Sequence, residues 1–188
     1  MDKRKEANLR VKNAISEALL ALMHEKSFSE ISITEIIERA GVARASFYRN
    51  YESKEDVLHK LIDDILDKFY RDIDWENSEY YTYRNVCRSF AYFKRFRRYI
   101  EDFYRFGYGI TLLEKLNESH EIIAGTMKIS SIERYNLYMY IGALYNTALV
   151  WINNGMKESV EDISKMFCRF VGIEPEEDYN PAVEITVE

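Results

Sequence analysis

A short polar segment of the chain could contact a nucleic acid. Residues 44–50, Arg-Ala-Ser-Phe-Tyr-Arg-Asn, place two arginines, a tyrosine and an asparagine around one phenylalanine. Arginine donates to base edges and phosphates, whereas tyrosine and asparagine commonly donate to phosphates. If the segment is a helix, the phenylalanine would face the protein interior. The outward side chains would then be Arg44, Ala45, Tyr48 and Arg49.

Capping signals lie on both sides of this segment. Ser32 followed by Glu35 matches the capping-box pattern, and Ser53 followed by Asp56 matches its weaker aspartate version. Each pattern satisfies backbone N–H groups that have no partner at a helix start. The two serines therefore predict two helix starts, one before and one after the polar segment.

A sharp turn is predicted at Ala40-Gly41-Val42, where glycine can adopt a positive φ at a helix end. Helices over 32–39 and 43–49 then form a helix-turn-helix, whose second helix can lie in the major groove of DNA. The simpler alternative is a helical hairpin whose charges are only solvated. The expected interior residues around the turn are Ile33, Ile36, Ile37, Val42, Phe47 and Tyr51.

Composition indicates a globular protein without a membrane span. The chain has 188 residues, 47% of them apolar, and no apolar run of membrane-spanning length. The basic start lacks the apolar region of a signal peptide, and the two cysteines are far apart. We therefore expect a protein of the reducing cytosol, without disulfide bonds. The net charge is −6, but residues 172–188 alone hold six acids and no base.

The acidity therefore lies outside the amino-terminal part, where residues 1–60 hold eleven basic and ten acidic side chains. A basic arm opens that part, formed by Lys3, Arg4, Lys5 and Arg10. Two interpretations of the arm stay open. It is either a solvated chain end or a contact to the minor groove or phosphates of DNA.

The predicted fold class is all-α. Both prolines, Pro175 and Pro181, fall near the end of the chain, and apolar residues recur at helical spacing before them. Helices are predicted over 5–26, 32–39, 43–49, 53–72, 80–95, 98–106, 109–124, 131–153 and 159–171. We expect a DNA-binding domain over 1–55, a helical regulatory and dimerisation domain over 56–172, and an acidic tail over 173–188.

Catalytic and metal-binding motifs do not emerge from the sequence. The histidines and cysteines do not have metal-ligand spacing, and no glycine-rich phosphate loop or nucleophile elbow is present. The residues concerned are His24, His59, His120, Cys87 and Cys168. We therefore expect neither an enzyme nor a cofactor nor a metal.

Aromatic residues are concentrated in one stretch, with twelve in residues 80–108. Most should form core, but some could line a cavity for an apolar or aromatic effector. The candidates are Tyr92, Phe96, Tyr99, Phe103, Tyr104 and Tyr145. The basic residues of the same stretch, Lys94, Arg95, Arg97 and Arg98, would form a solvated face or attract an anionic ligand.

The segment SFSEISITEIIERAGVARASFYRNYESKEDVL makes residues 10–60 resemble the DNA-binding domain of the TetR (tetracycline-repressor) family of bacterial transcription regulators. The specific elements are Ile-Thr-x-Ile-x-x-x-Ala-Gly-Val, then Phe-Tyr-x-x-Tyr, then Ser-Lys-Glu-x-Leu. A weaker resemblance covers residues 140–167 and the carboxy-terminal helix pair of one branch of that family.

The resemblance implies a role for each motif residue. Ser32 and Thr34 would touch phosphate, and Lys54 would clamp the DNA backbone. Base edges or adjacent phosphates would be contacted by Arg44, Ala45 and Ser46. Further phosphate contacts would come from Tyr48, Arg49 and Asn50, the last at a position where the family often has histidine.

The resemblance also implies a homodimeric, ligand-responsive repressor that binds a palindromic operator in the bacterial cytoplasm and joins the nucleoid when bound to DNA. The helices over 131–153 and 159–171 would pair with their copies, helped by the small residues Gly142, Ala143 and Ala148. The predicted interface residues are Leu137, Ile141, Leu144, Ala148, Trp151, Ile163 and Phe167. The alternative is a DNA-binding regulator whose carboxy-terminal domain binds a protein partner instead of a small molecule.

Overall fold

The structure, a computed structural model, describes residues 3–72, 81–123, 125, 132–176 and 179. The described residues contain helices and no strand, which confirms the all-α prediction. The helices are α1 (Lys3–Glu25), α2 (Ile33–Ala40), α3 (Arg44–Asn50), α4 (Lys54–Asp72), α5 (Tyr83–Arg95), α6 (Arg97–Arg105), α7 (Gly109–Ile123), α8 (Ile132–Asn153) and α9 (Val160–Val171).

Predicted and observed helix ends agree to within three residues. The largest difference is at α5, which begins at Tyr83 instead of residue 80. A short 3₁₀ turn at Phe28–Glu30 was not predicted, since one turn of three residues has no hydrophobic periodicity to detect. The strand-like end of the chain and most of the predicted acidic tail lie outside the described residues.

The chain forms two compact units, residues 1–64 and residues 65–188. This division falls inside α4, nine residues after the predicted domain boundary at residue 55. None of the helices in the described part of the chain is long and apolar enough to cross a membrane.

The first unit is built around apolar side chains from four helices. At most 1% of the surface of each is exposed, and they are Ile15 and Leu19 of α1, Ile36 of α2, Phe47 of α3 and Leu58 of α4. Ion pairs support the same packing at the surface, where Lys26 pairs with Glu35 and Arg39 with Glu25. This core is what positions α3.

The second unit has a core of aromatic rings. The Phe90 ring of α5 packs edge-on against Trp151 of α8 and Phe167 of α9, with centroid distances of 5.9 and 5.8 Å. Edge-to-face pairs of this kind stabilise a core beyond the area that they bury. Cys87 and Cys168 are buried in the same unit as free thiols, and burial raises the pKa of Cys168 to about 12.

Candidate functional site

The start of α2 is closed by the predicted capping box. The hydroxyl of Ser32 accepts from the backbone N–H of Glu35 at 3.2 Å, and the Glu35 carboxylate accepts from the backbone N–H of Ser32 at 2.9 Å. The Lys26 ammonium, the backbone N–H of Ser32 and the Ser32 hydroxyl all donate to the Glu35 carboxylate. These contacts lower the pKa of Glu35 to about 2. The carboxylate therefore stays charged, and the capping box remains intact, at any physiological pH.

A left-handed glycine produces the turn between α2 and α3. Gly41 has φ 63° and ψ 33°, and its N–H donates to the carbonyls of Glu38 and Ile37 at the end of α2. The N–H of Val42 donates to Ile37 as well, at 3.3 Å. A side chain at position 41 would be strained in this conformation, so the glycine allows only three residues to separate α2 from α3.

The exposed face of α3 is polar and basic, as the sequence predicted. Arg44, Ala45, Tyr48 and Arg49 are exposed, whereas Phe47 is fully buried. The Arg44 guanidinium lies over the Tyr48 ring at 5.3 Å from its centroid and donates to the Tyr48 hydroxyl at 3.3 Å. The ring holds the guanidinium in place at the amino-terminal end of α3, the end that reads bases when a recognition helix enters the major groove.

Asn50, the last residue of α3, is held by other side chains. Its Nδ2 donates to the carbonyl of Ser46 at 2.9 Å and to Oδ1 of Asn8 at 3.1 Å, while its Oδ1 accepts from Nδ2 of Asn8 at 3.0 Å. An amide has two N–H donors, and both are used in these contacts. Asn50 thus joins α3 to α1, a pairing across 42 positions that no local sequence pattern indicates.

Lys54 contacts backbone rather than solvent. Its ammonium donates to the carbonyls of Phe28, Ile31 and Ser29 at 2.6, 2.8 and 3.3 Å, and it lies 4.6 Å from the centre of the Phe28 ring. An ammonium has three donors, so these carbonyls use all of them. The geometry gives Lys54 a structural task, the attachment of the 3₁₀ turn to the start of α4, and the DNA clamp stays a prediction.

The other predicted contact residues differ in their exposure. Ser32 and Thr34 are exposed at the start of α2, although the Ser32 hydroxyl also serves the cap. Ser46 is half-buried one turn after Ala43, whose carbonyl accepts from the Ser46 N–H at 2.8 Å.

The second unit contains an apolar cavity of about 30 Å³. Three side chains of α4 form part of its wall, namely Ile65, Leu66 and Phe69. The remaining wall comes from α5, α6, α7 and α8 and from Phe96, which lies between α5 and α6. It includes Leu112, Leu116, His120, Ile141 and Leu144. The volume corresponds to one or two water molecules, well below the several hundred Å³ of a typical ligand site.

Polar groups in the cavity wall are bonded to backbone carbonyls. The hydroxyls of Ser89, Tyr92 and Tyr145 donate to Asn85, Ile65 and Gly109 at 2.8, 2.6 and 2.9 Å. The cavity therefore offers predominantly carbon surface, which suits an apolar occupant.

His120 is the titratable group of this wall. Its Nδ1 lies 2.6 Å from the carbonyl of Leu116 and 2.8 Å from the Tyr70 hydroxyl. Because a carbonyl can only accept, Nδ1 carries the proton that is donated to Leu116. Burial lowers the pKa of His120 to about 4, so the imidazole is neutral at physiological pH.

Only half of the predicted effector residues line this cavity. Tyr92, Phe96 and Tyr145 contribute to its wall, whereas Tyr99, Phe103 and Tyr104 do not. Tyr104 is 57% exposed, and Phe103 is core. Aromatic density predicts which stretch is buried but not which rings meet at a void, since that depends on the rotation of each helix.

The residues predicted for a dimer interface lie in the core of the single chain. The residues chosen for it are buried within the single chain, none more than 8% exposed, and therefore cannot face a partner in this arrangement. They are Leu137, Ile141, Leu144, Ala148, Trp151, Ile163 and Phe167. The most apolar stripe of α8 packs on its own unit, because the hydrophobic effect favours burial there first.

A second apolar stripe on α8 and α9 faces outwards. It consists of Ile132, Tyr135, Met139, Val150, Met166 and Phe170, with exposures between 47% and 77%. Gly142 lies along the α8 part of the stripe, and nothing lies within 4 Å of where its Cβ would be. These side chains give the outer faces of α8 and α9 an apolar character.

Together, the turn, the short basic helix and the capped neighbouring helices define a helix-turn-helix protein. Residues 15–61 match the model of the family described as "Bacterial regulatory proteins, tetR family". The match begins at the buried Ile15 and ends in α4, so it covers the helices that hold the exposed arginines.

Relatives extend this resemblance along the chain. The uncharacterized HTH-type transcriptional regulator YxbF of Bacillus subtilis is 26% identical over 163 residues, which are 80% of this chain and 42% of that protein. The chain thus spans about two fifths of the length of this curated relative. The comparisons thus show similarity to the TetR family over residues 15–61 and to an HTH-type transcriptional regulator over most of the chain.

Solved structures share the fold. A TetR transcriptional regulator from Streptococcus agalactiae 2603V has a TM-score of 0.55 and 22% identity, and covers 89% of this chain and 97% of its own. FadR from Bacillus subtilis in complex with stearoyl-CoA has a TM-score of 0.53 and 18% identity, and covers 86% of this chain and 98% of its own. At these identities the likeness concerns the fold alone.

Replacing Lys54 by methionine should lower the stability of the first unit. The substitution leaves carbonyls of the 3₁₀ turn without their donor, at a cost of about 1–3 kcal/mol in the free energy of unfolding. Arg49→Met, at an exposed position, is the matched control and should change stability by less than about 0.5 kcal/mol. Urea denaturation monitored by circular dichroism measures both. A Lys54→Met protein of unchanged stability, whose DNA affinity alone falls, would contradict the structural task and favour the DNA clamp.

Proposed function

We propose that the chain is a DNA-binding transcriptional regulator whose α3 lies in the major groove. The observation that carries this proposal is the exposed Arg44, Tyr48 and Arg49 on a helix held by the fully buried Phe47. In this arrangement Arg44 reads a base edge, while Tyr48 and Arg49 bind phosphates. Ser32 and Thr34 add phosphate contacts from the start of α2.

Arg44→Ala should change the preferred DNA sequence, since loss of a base contact costs about 1–3 kcal/mol and relaxes preference at one position. Arg49→Ala is the control on the same helix. It should weaken binding to every sequence alike and flatten the salt dependence by about one unit per lost contact. Binding-site selection from random duplexes, followed by titrations at several salt concentrations, distinguishes the two. If Arg44→Ala selects the wild-type motif, Arg44 does not read bases.

We also propose that two copies associate through the exposed apolar stripe of α8 and α9. An isologous pairing would place Met139 and Phe170 of each copy near the centre of a four-helix interface, and Gly142 would allow close approach. Two α3 helices could then occupy successive major grooves of a palindromic operator, about 34 Å apart.

Met139→Glu or Phe170→Glu should convert dimers to monomers. Each puts an unpartnered charge into the interface, so the dissociation constant should rise by at least about a hundredfold. Ile110→Glu on α7 is the matched control, because Ile110 is 72% exposed and lies outside the stripe. Light scattering at micromolar concentration gives the masses. A wild-type protein that is already a monomer at this concentration contradicts the proposal.

An apolar effector is the best-supported candidate for the cavity of the second unit. The wall presents carbon, and the ligand named for the FadR structure, stearoyl-CoA, carries a long acyl chain. At about 30 Å³ the cavity must enlarge to admit such a chain. Ile65, Leu66 and Phe69 would be displaced, and they belong to the helix that begins at Lys54, directly after α3. Ligand entry could thereby alter the DNA-binding helix and release the operator, as in a repressor.

The small volume of the cavity also supports a second candidate function. In this alternative the core stays filled by side chains, and the second unit responds to a protein partner. DNA binding would be the same, but small molecules would have no effect on it.

Addition of a saturating apolar effector should raise the melting temperature and lower DNA affinity. At 100 times its dissociation constant a ligand stabilises the folded state by about 2.7 kcal/mol. The test is a series of fatty acids and acyl-CoA thioesters of increasing chain length, with free coenzyme A as the control that lacks the acyl group. If no compound in the series shifts melting or releases DNA, the partner-protein alternative is favoured.

A further inference from the structure

The paired amides of Asn8 and Asn50 connect a second basic element to the recognition helix. Two hydrogen bonds of 3.0 and 3.1 Å join the side chains, and Asn50 is the last residue of α3. The pair is exposed, so its partners were not brought together by burial of apolar surface. It fixes the distance between the second turn of α1 and the carboxy-terminal end of α3.

Basic side chains precede Asn8 on the same side of α1. Arg4 and Lys5 are four and three residues before it, the spacings at which helical residues share a face. The rise of 1.5 Å per residue puts their backbone about 4.5–6 Å from that of Asn8 along the helix axis, towards the amino-terminus. Both side chains are exposed.

Neighbouring cations of α1 already have carboxylate partners. Arg10 pairs with Glu6 at 2.6 Å, and Lys12 pairs with Asp64 at 2.6 Å. Among the described residues no carboxylate pairs with Lys5. The exposed Lys5 thus keeps its charge one helical turn before the residue that contacts the end of α3.

We propose that Arg4 and Lys5 bind DNA phosphates next to those contacted by α3, with the Asn8–Asn50 pair as the positioning element. The inference depends on the proposed DNA-binding function and extends the interface from α2 and α3 to α1. Charge complementarity supports it, since duplex DNA presents one phosphate charge per ~1.7 Å of its axis. Basic side chains at the start of α1, joined to the end of α3 by the amide pair, would meet the adjacent backbone.

In this role Asn50 does not itself bind phosphate. Its two donors are committed to Ser46 and Asn8, and it acts through α1. The structural task also explains why an amide is suitable at this position. An amide both donates and accepts, as a reciprocal pair with another amide requires.

The test compares the double variant Arg4→Gln/Lys5→Gln with Lys94→Gln/Lys157→Gln, which makes the same change in net charge at exposed positions of the second unit. Glutamine keeps a helix propensity close to that of the residues that it replaces. Titration of a selected operator duplex over a range of salt concentrations gives the slope of log affinity against log salt. For the first variant the slope should fall by roughly 0.9 per lost phosphate contact, without a change in the preferred sequence.

Asn8→Ala tests the positioning role, because it keeps every charge but removes both amide hydrogen bonds. It should flatten the salt dependence in the same direction as the double variant, and circular dichroism should show that α1 remains helical. If Arg4→Gln/Lys5→Gln has the slope of the Lys94→Gln/Lys157→Gln control, the inference is wrong while the proposed function stands. If the wild-type protein binds no duplex at all, the proposed function itself fails.

Discussion

The burial of Phe47 is the contact on which the candidate interface depends. Helix α3 has only seven residues, and isolated helices shorter than about 12–15 residues are marginal in water. Full burial of one phenylalanine contributes about 1.5–3 kcal/mol, and its ring also packs against Tyr51 at 5.7 Å. The interior therefore stabilises a helix that its own hydrogen bonds could not. The opposite face can then carry polar side chains chosen for contact rather than for helix stability.

Polar residues of the first unit fall into two groups with different physical tasks. Lys54 donates to carbonyls in and after the 3₁₀ turn and so attaches that turn to α4. Asn50 donates to a carbonyl of α3 and to the Asn8 amide, and so joins α3 to α1. Arg44 and Arg49 point outwards, and Tyr48 holds the Arg44 guanidinium over its ring. An interface of this kind needs both groups, because a base contact is specific only if the backbone that carries it cannot move.

The second unit shows the same separation of tasks on one helix. The buried stripe of α8 completes an aromatic core with α5 and α9, whereas the other stripe, which includes Met139, is exposed. The packing of the core leaves a void of about 30 Å³, bounded by carbon, next to the carboxy-terminal half of α4. A tightly packed interior responds to an added ligand by shifting whole side chains and helices, since it has little free volume. The smallness of the void is thus compatible with a response that is transmitted along α4.

The sequence by itself determined the all-α class, the helix ends and the helix-turn-helix, because each depends on interactions between residues close together in the chain. The Ser32–Glu35 cap, Gly41 and the spacing of Phe47 from the exposed arginines act over a few residues, and their consequences can be deduced without the rest of the chain. The tertiary structure alone decided which polar groups are available and which apolar face is outside. Lys54 meets carbonyls 23 to 26 residues away, and Asn8 meets Asn50 across 42 positions. Both stripes of α8 are apolar, and only packing against the other helices of the second unit decides which one is buried. Such choices depend on the mutual rotation of helices, which the periodicity within any single helix leaves undetermined.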